Sequence, residues 1–384
     1  MGTEAERKPA TQLGGAKVRF WHLRFWDGMS LGGWLRLVAR NRFAIAPQFV
    51  PMALVITCLG FVHWALWLVQ ELIYGRRIAR TEIKNHPIFI IGHWRSGTTL
   101  LHEFLAMDAR HTSSNTYACF VPNHFLVSSW ILPPLLQLLM PSQRPMDNMA
   151  AGWSHPQEDE FALCNMGIPS PYLTMAFPRR PQHPEYLDLE GLSSEELGLW
   201  KRAFLWFLKC ITLRDPRRLV LKSPPHTCRI KVLLELFPDA RFIHITRDPQ
   251  VIFPSTVNLW KRLRQTQGVQ VSRDGDLDEY VFKTFERMYE VFDRDRHLIP
   301  PSRLCEVRYE DLVEDPVGQL RAIYDGLELG EFDTVLPAIQ TYLAQQSDYK
   351  VNRYQISAET RAQIARRWAG YLEQYGYTAE PAEV

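Results

Sequence analysis

Paired cysteines are absent. The 6 cysteines of the 384-residue chain (Cys58, Cys119, Cys164, Cys210, Cys228, Cys305) are scattered, with no C-x-x-C. That spacing excludes a zinc ribbon and a small disulfide framework. It leaves thiols that behave as small buried hydrophobes in a reducing compartment. Charge excess is absent too, with 44 Lys and Arg against 42 Asp and Glu. Such a balance gives no global footprint for nucleic acid, and none is expected as a partner. No tandem repeat, low-complexity segment or N-x-[ST] sequon occurs. The missing sequon is compatible with a cytoplasmic face. No carboxylate pair demands a metal, and no metal is expected.

Charged side chains are also missing from Phe43 to Val69. Within that run, Val50 to Val69 is a window of 20 residues whose strongest polar group is His63. Such a helix is about long enough for a hydrocarbon core of roughly 30 Å. Pro47 and Pro51 stand at its start, where proline is tolerated. Trp64 and Trp67 stand towards its far end, before Glu71, Arg76, Arg77 and Arg80, an order that suits an interfacial boundary. More than 40 residues precede the run and no small-residue cleavage site is evident, which argues against a signal peptide. Basic residues flank both sides, so a span, a re-entrant helix and an interfacial helix all fit. Upstream, Phe20, Trp21, Trp26 and Trp34 mix with Arg24, Arg36, Arg40 and Arg42. That pattern suits either a membrane-interface segment or an amphipathic helix packed on the domain. The chain therefore divides into a basic and aromatic segment (1–42), a hydrophobic membrane-associated segment (43–75) and a main domain (76–384).

The main domain is organised around Pro87 to Leu105, PIFIIGHWRSGTTLLHEFL. A short apolar strand (Ile88 to Ile91) runs into a loop bounded by Gly92 and Gly97, which opens an apolar-periodic helix. Unpaired N–H groups of a first helical turn converge on an anion, and the helix dipole favours negative charge there. The spacing fits the phosphate loop G-x-x-x-x-G-K-[ST], except that Thr98 replaces the lysine. In nucleoside triphosphatases that lysine reaches the β- and γ-phosphates. Its loss argues against a γ-phosphate, while Arg95 offers a two-pronged grip on a tetrahedral oxyanion. A phosphate or phosphosulfate is the expected ligand of the loop.

Further short apolar strands occur at Leu219–Leu221, Phe242–Thr246 and Leu304–Tyr309, separated by helical patterns. One helix is expected over Leu192 to Leu213 with Ser194 as N-cap, and another over Ala358 to Tyr375. The fold class is α/β: a P-loop-like parallel sheet flanked by helices, with an N-terminal hydrophobic helical segment. In such sheets the ligand lies outside the carboxyl ends of the strands. Gly92 to Thr99, Lys222, Ser223 and Arg247 all fall at such ends, so one crevice can gather them. The irregular stretch His111 to Arg180 offers an acceptor pocket. Lys350, Asn352, Arg353 and Tyr354 form a further polar cluster without an assigned target.

These residues carry a resemblance. GHWRSGTTLLHEFL resembles the 5′-phosphosulfate loop of sulfotransferases that use 3′-phosphoadenosine 5′-phosphosulfate (PAPS). RFIHITRDPQVIFPS, Arg241 to Ser255, resembles the family's 3′-phosphate segment, and LKSPPHTCRIKVLLELFPDARF the stretch before it. The likeness covers about residues 84 to 377 and is nearest to the bacterial branch, related to the tyrosylprotein enzymes. It implies that Arg95, Ser96, Gly97, Thr98 and Thr99 hold the 5′-phosphosulfate, and that Arg247 and Ser255 hold the 3′-phosphate. It also implies that Lys222, with Arg95, stabilises charge on the departing phosphate oxygen.

The reaction implied is in-line attack of an acceptor hydroxyl on sulfur, and a base must take the hydroxyl proton. Glu158, Asp159 and Glu160 in HPQEDEF are the candidates, with Glu158 first, Glu160 second and His155 as a weaker alternative. Tyrosylprotein enzymes carry a glutamate soon after the first helix, where this chain reads DARHTSSNTYACF. That departure leaves the base open, and with it a tyrosine acceptor. The membrane-proximal segment and aromatic residues such as Trp130, Tyr172 and Phe177 suggest a hydroxyl on a lipid, sterol-like or glycan substrate. The expected setting is membrane-associated, with the catalytic domain on the cytoplasmic face, and the oligomeric state is open. A kinase-like phosphotransferase and a non-catalytic nucleotide-binding membrane protein are the alternatives.

Overall fold

The computed structural model describes residues 23–133, 152–271, 275–345 and 356–378. Phe20, Trp21, residues 134–151 within the acceptor stretch, and the polar cluster Lys350, Asn352, Arg353 and Tyr354 lie outside the described residues.

Five strands form one parallel sheet: β1 (Ile88–Ile91), β2 (His111–Thr112), β3 (Arg218–Lys222), β4 (Arg241–Thr246) and β5 (Leu304–Arg308). Their order is β2-β3-β1-β4-β5. β1 is wholly buried because both faces are covered, as its unbroken apolar run requires. Ile88 and Ile90 face one apolar core, while Phe89 and Ile91 face the other. Ile90 pairs with Lys222, the last residue of β3, and with Ile243 of β4, which runs on to Thr246 beside the phosphate loop. After β1 the chain turns towards β2 and β3; after β4 it turns towards β5. The crevice therefore opens beside β1, at the point where the connections diverge.

Seven helices matter for the site and its surroundings: α1 (Leu31–Arg40), α2 (Val50–Arg80), α3 (Thr98–Ala106), α4 (Asp159–Met166), α5 (Ser194–Arg214), α6 (Pro249–Gln267) and α7 (Leu277–Asp295). The cap of α5 is Ser193, one residue before the expected Ser194. Ser193 forms a reciprocal capping box with Glu196, which fixes the start of the helix. The C-terminal helix divides at Trp368 into Ala358–Arg367 and Ala369–Tyr375. Of the cysteines, Cys119, Cys164, Cys210 and Cys228 are buried, Cys305 is half-buried and Cys58 is exposed on α2.

The aromatic and basic segment before α2 is a packed one. Trp26 and Trp34 are buried in the same core as Phe89. Ser30 caps α1 by accepting from the Gly33 N–H. The Trp34 indole donates to Thr57 Oγ1 on α2 at 2.9 Å. Thus α1 sits between α2 and the domain, with its basic residues Arg36 and Arg40 facing out.

α2 runs for 31 residues, about 46 Å of helix at 1.5 Å per residue. Together with the preceding turn, Pro47–Arg80 is long and apolar enough to cross a membrane by length and composition. Yet a stripe of it is buried against the domain: Met52, Ala53, Ile56, Gly60, His63, Gln70 and Ile78. Away from that stripe the helix surface from Val50 to Ile73 is largely apolar and exposed, and its last turns carry Arg76, Arg77 and Arg80.

Candidate active site

The loop after β1 needs two unusual backbone turns. Gly92 and Gly97 have φ of 147° and 104°. A Cβ on Gly97 would stand 2.3 Å from Tyr309 Cδ2, so only glycine lets the loop close over the end of β5. Arg95 is itself left-handed, with φ of 70°, a conformation that costs a non-glycine residue free energy. The surrounding bonds over-determine it. Arg95 Nε donates to Ser255 Oγ at 2.9 Å, and Arg247 Nη1 donates to the Arg95 carbonyl at 3.0 Å. The loop, α6 and the end of β4 are thereby joined across the crevice.

The loop residues named from the sequence separate by role. Thr98 and Thr99 open α3 and line a pocket together with Arg95. Ser96 is buried, and its hydroxyl donates to the His93 carbonyl at 2.8 Å, shaping the loop from inside. The Gly92 N–H donates to Thr227 Oγ1 at 2.8 Å, an anchor with no motif to mark it.

Lys222, at the end of β3, reaches the same pocket. Its Nζ lies 2.7 Å from Glu158 Oε1 and 3.3 Å from Thr99 Oγ1. Glu158 is the residue just before α4, and its other oxygen accepts from the Tyr172 hydroxyl at 2.5 Å. Tyr172 in turn accepts from the Trp94 indole at 2.9 Å. Burial and the neighbouring Glu158 charge push the Tyr172 phenol well above its ordinary pKa, so it stays a neutral donor. The Lys222 side chain is 2% exposed and that of Glu158 12%, so the pair faces a small opening. A charge pair this dry is expensive unless each partner has further bonds, and here both do.

The other two acids of HPQEDEF stand elsewhere. The Glu160 carboxylate is turned into the core, where it accepts from Arg229 Nη1 at 2.6 Å and from Ser170 Oγ at 2.6 Å. Asp159 pairs with His226 Nε2 at 2.7 Å. Burial acts to raise the Asp159 pKa, but His226, with a smaller contribution from Arg229, outweighs it and the net shift is downward. His155 is outside the pocket lining. The geometry thus brings one of the proposed bases, Glu158, to Lys222 and not Glu160. Arg229 had a visible clue only in being a charged residue inside an apolar turn-and-helix run, which implies a buried partner. Glu160→Gln should lower unfolding stability by about 3 kcal/mol, because Arg229 is left buried without a full counter-charge. Thermal unfolding checks the loss, and kcat of the folded fraction should stay within about tenfold of wild type.

At the end of β4, the Arg247 guanidinium lies over the Tyr309 ring, 3.9 Å from its centroid. Asp248 caps α6 by accepting from the Gln250 N–H. Arg247 also opens on a cleft of about 480 Å³ whose lining includes Arg308, Tyr309 and Tyr377. Tyr309 follows β5 directly, so the strand-end rule marked its place, though not its ring contact. The other direction from the loop is apolar: Phe25, Phe161, Met175, Leu259, Trp260 and Leu263 wall the pocket beyond Glu158. Of the three aromatics read as acceptor-side, Tyr172 lines that pocket, Phe177 is core and Trp130 is exposed.

A phosphate loop with no lysine, a buried lysine from the neighbouring strand β3 and a carboxylate beside it stand together at one pocket. Residues 87–334 match the model of the Sulfotransferase family, well over half of the chain. The chain belongs to that family. Two relatives, from Mycobacterium bovis (strain ATCC BAA-935 / AF2122/97) and Mycobacterium tuberculosis (strain CDC 1551 / Oshkosh), are each 46% identical over 373 residues, covering 96% of both chains. Each bears the name omega-hydroxy-beta-dihydromenaquinone-9 sulfotransferase Stf3. The aligned region extends beyond the family match into the N-terminal helical segment. Among solved structures, the sulfotransferase STF9 from Mycobacterium avium superimposes with a TM-score of 0.64 at 18% identity, covering 92% of this chain and 98% of that one. STF1 from Mycobacterium tuberculosis H37Rv gives 0.60 at 19%, covering 88% and 91%. These two establish the shared fold. Membership of this enzyme family, together with relatives named as sulfotransferases, favours a sulfotransferase over the kinase-like and non-catalytic alternatives.

Proposed function

We propose that this sulfotransferase moves the sulfuryl group of PAPS to a hydroxyl on a menaquinone-type lipid. The observation that carries the chemistry is the Lys222–Glu158 pair, 2.7 Å apart and next to Thr99 at the opening of the phosphate loop. The acceptor class rests on the name of the relatives and on the apolar wall of the pocket beyond Glu158. That wall favours a lipid over a glycan.

The residues suit the donor's charges. Arg95, Thr98, Thr99 and the N-terminus of α3 receive the 5′-phosphosulfate, with Gly97 allowing close approach and Ser96 bracing the loop. Arg247, with Ser255 behind Arg95, receives the 3′-phosphate that distinguishes PAPS from ATP. In the reaction the acceptor oxygen bonds to sulfur as the sulfur–bridging oxygen bond breaks. The electron pair leaves with 3′-phosphoadenosine 5′-phosphate, and the hydroxyl proton passes to Glu158. Lys222 exchanges its contact with Glu158 for the bridging oxygen, where charge builds in the transition state. The same exchange frees the Glu158 carboxylate to act as the base.

Ligand affinity tests the donor assignment. Wild type should bind 3′-phosphoadenosine 5′-phosphate far more tightly than 5′-AMP or ATP. Arg247→Ala should weaken the bisphosphate about 10- to 100-fold, the worth of a charge-assisted bond, and 5′-AMP by under about threefold. Calorimetric titration of both nucleotides checks this; equal losses would remove Arg247 from the 3′-phosphate site.

A further inference from the structure

We propose that α2 is an in-plane docking helix: it lies flat on an anionic lipid bilayer and sets the apolar end of the acceptor pocket against the lipid. This deepens the lipid-acceptor reading and rests on it.

The inner side of α2 is fastened to the domain along nearly its whole length. Thr57 accepts from Trp34. The two nitrogens of His63 engage His124 Nε2 and the Asp27 carbonyl, each at 2.9 Å. Gln70 Oε1 accepts from the Leu126 N–H at 2.9 Å, and the Ala79 carbonyl from Lys209 at 3.0 Å. From Thr57 to Ala79 is about 33 Å of helix, as long as a hydrocarbon core is thick. A helix held this way cannot cross a bilayer unless the domain's own polar groups enter the core, which is prohibitive.

The outer side has the opposite character. Twelve large apolar side chains between Val50 and Ile73 are exposed, among them Leu54 at 62%, Phe61 at 58% and Leu72 at 88%. No charged residue interrupts the helix from Val50 to Val69. An exposed apolar stripe of this extent marks an interaction surface. Exposed arginines flank both ends: Arg36, Arg40 and Arg42 near its start, and Arg76, Arg77 and Arg80 at its finish. Cations at both ends of one apolar stripe match a helix lying on an anionic surface, and they give no orientation for a span.

The pocket lining is tied to the same elements. Phe25 lines the pocket, and its N–H donates to Gln267 at the end of α6. Two residues on, the Asp27 carbonyl holds His63 of α2. The connection into α2 is tied to the chain after α6 by Ala46 N–H to the Val269 carbonyl at 3.0 Å. Phe43 and Val271, exposed on either side of this tie, continue the apolar surface. A lipid chain therefore passes from the bilayer to Leu263, Leu259 and Phe25 beside one continuous greasy edge.

The test uses the full chain, vesicles of phosphatidylglycerol and phosphatidylcholine, and the triple variant Leu54→Glu, Phe61→Glu, Leu68→Glu, all exposed positions on α2. Wild type should co-sediment with the vesicles and the triple variant should bind at least about tenfold more weakly, with unchanged thermal unfolding. Its turnover of a water-soluble menaquinone analogue with a truncated, hydroxyl-ended chain should match wild type, while turnover of vesicle-embedded acceptor falls. Spin labels at Leu54→Cys and Leu72→Cys, in a Cys58→Ser background, should report one shallow depth. Depths differing by up to about 27 Å would show a span and overturn the proposal. So would undiminished vesicle binding by the triple variant, or a wild-type dimer that ignores vesicles and that the substitutions dissociate. Failure of wild type on the truncated acceptor, with vesicle binding intact, would fault the acceptor reading alone.

Discussion

Glu158→Gln is expected to lower kcat by about 10²- to 10⁴-fold, the range for loss of a general base. The substitution retains the shape of the side chain and an oxygen for Tyr172 or Lys222 to bond. What it removes is the ability to take a proton from the acceptor hydroxyl. KM for PAPS should therefore change little while kcat collapses, since the lost interaction belongs to the transition state. Steady-state kinetics with the lipid acceptor check it. A kcat within tenfold of wild type would move the base away from Glu158, and Glu160 offers no substitute because Arg229 and Ser170 already hold its carboxylate in the core.

Lys222→Met is the second large effect, an expected fall in kcat of about 10²- to 10³-fold. Methionine keeps most of the aliphatic stem that fills the end of β3, so the packing around this 2%-exposed side chain survives. The charge that meets the departing bridging oxygen does not. Affinity for 3′-phosphoadenosine 5′-phosphate should drop far less than kcat, because Arg95, the loop and Arg247 still hold the nucleotide. The variant also leaves the Glu158 carboxylate without its partner, so the two substitutions should be strongly non-additive: the double variant loses little more than the worse single one. Fully additive losses would mean that the two side chains act independently.

Much of the fold could be read from the chain because parallel strands buried on both faces are unbroken apolar runs. Ile88 to Ile91, Leu219 to Leu221 and Phe242 to Thr246 all emerge as β1, β3 and β4 within a residue or two of their ends. β2 is only two residues, His111–Thr112, too short for any periodicity to register. The strand-end rule gathers the loop, Lys222 and Arg247 from sequence alone, since the crevice of an open parallel sheet lies where those ends are. Direction of side chains was another matter. Glu158, Asp159 and Glu160 are consecutive, so they point three ways from the start of α4, and only tertiary partners decide which faces the pocket. The same limit applied to α2: composition shows an apolar helix, whereas the fastening of Thr57, His63 and Gln70 to residues far along the chain is visible only once the chain is folded.

The most direct measurement is a single-turnover reaction with PAPS labelled in its sulfuryl group and a hydroxyl-bearing menaquinone-type lipid in vesicles. The label should appear on the lipid, up to one per enzyme, with 3′-phosphoadenosine 5′-phosphate as the other product. Label released as inorganic sulfate, or left on the donor in the presence of the lipid, would contradict sulfuryl transfer to a lipid hydroxyl.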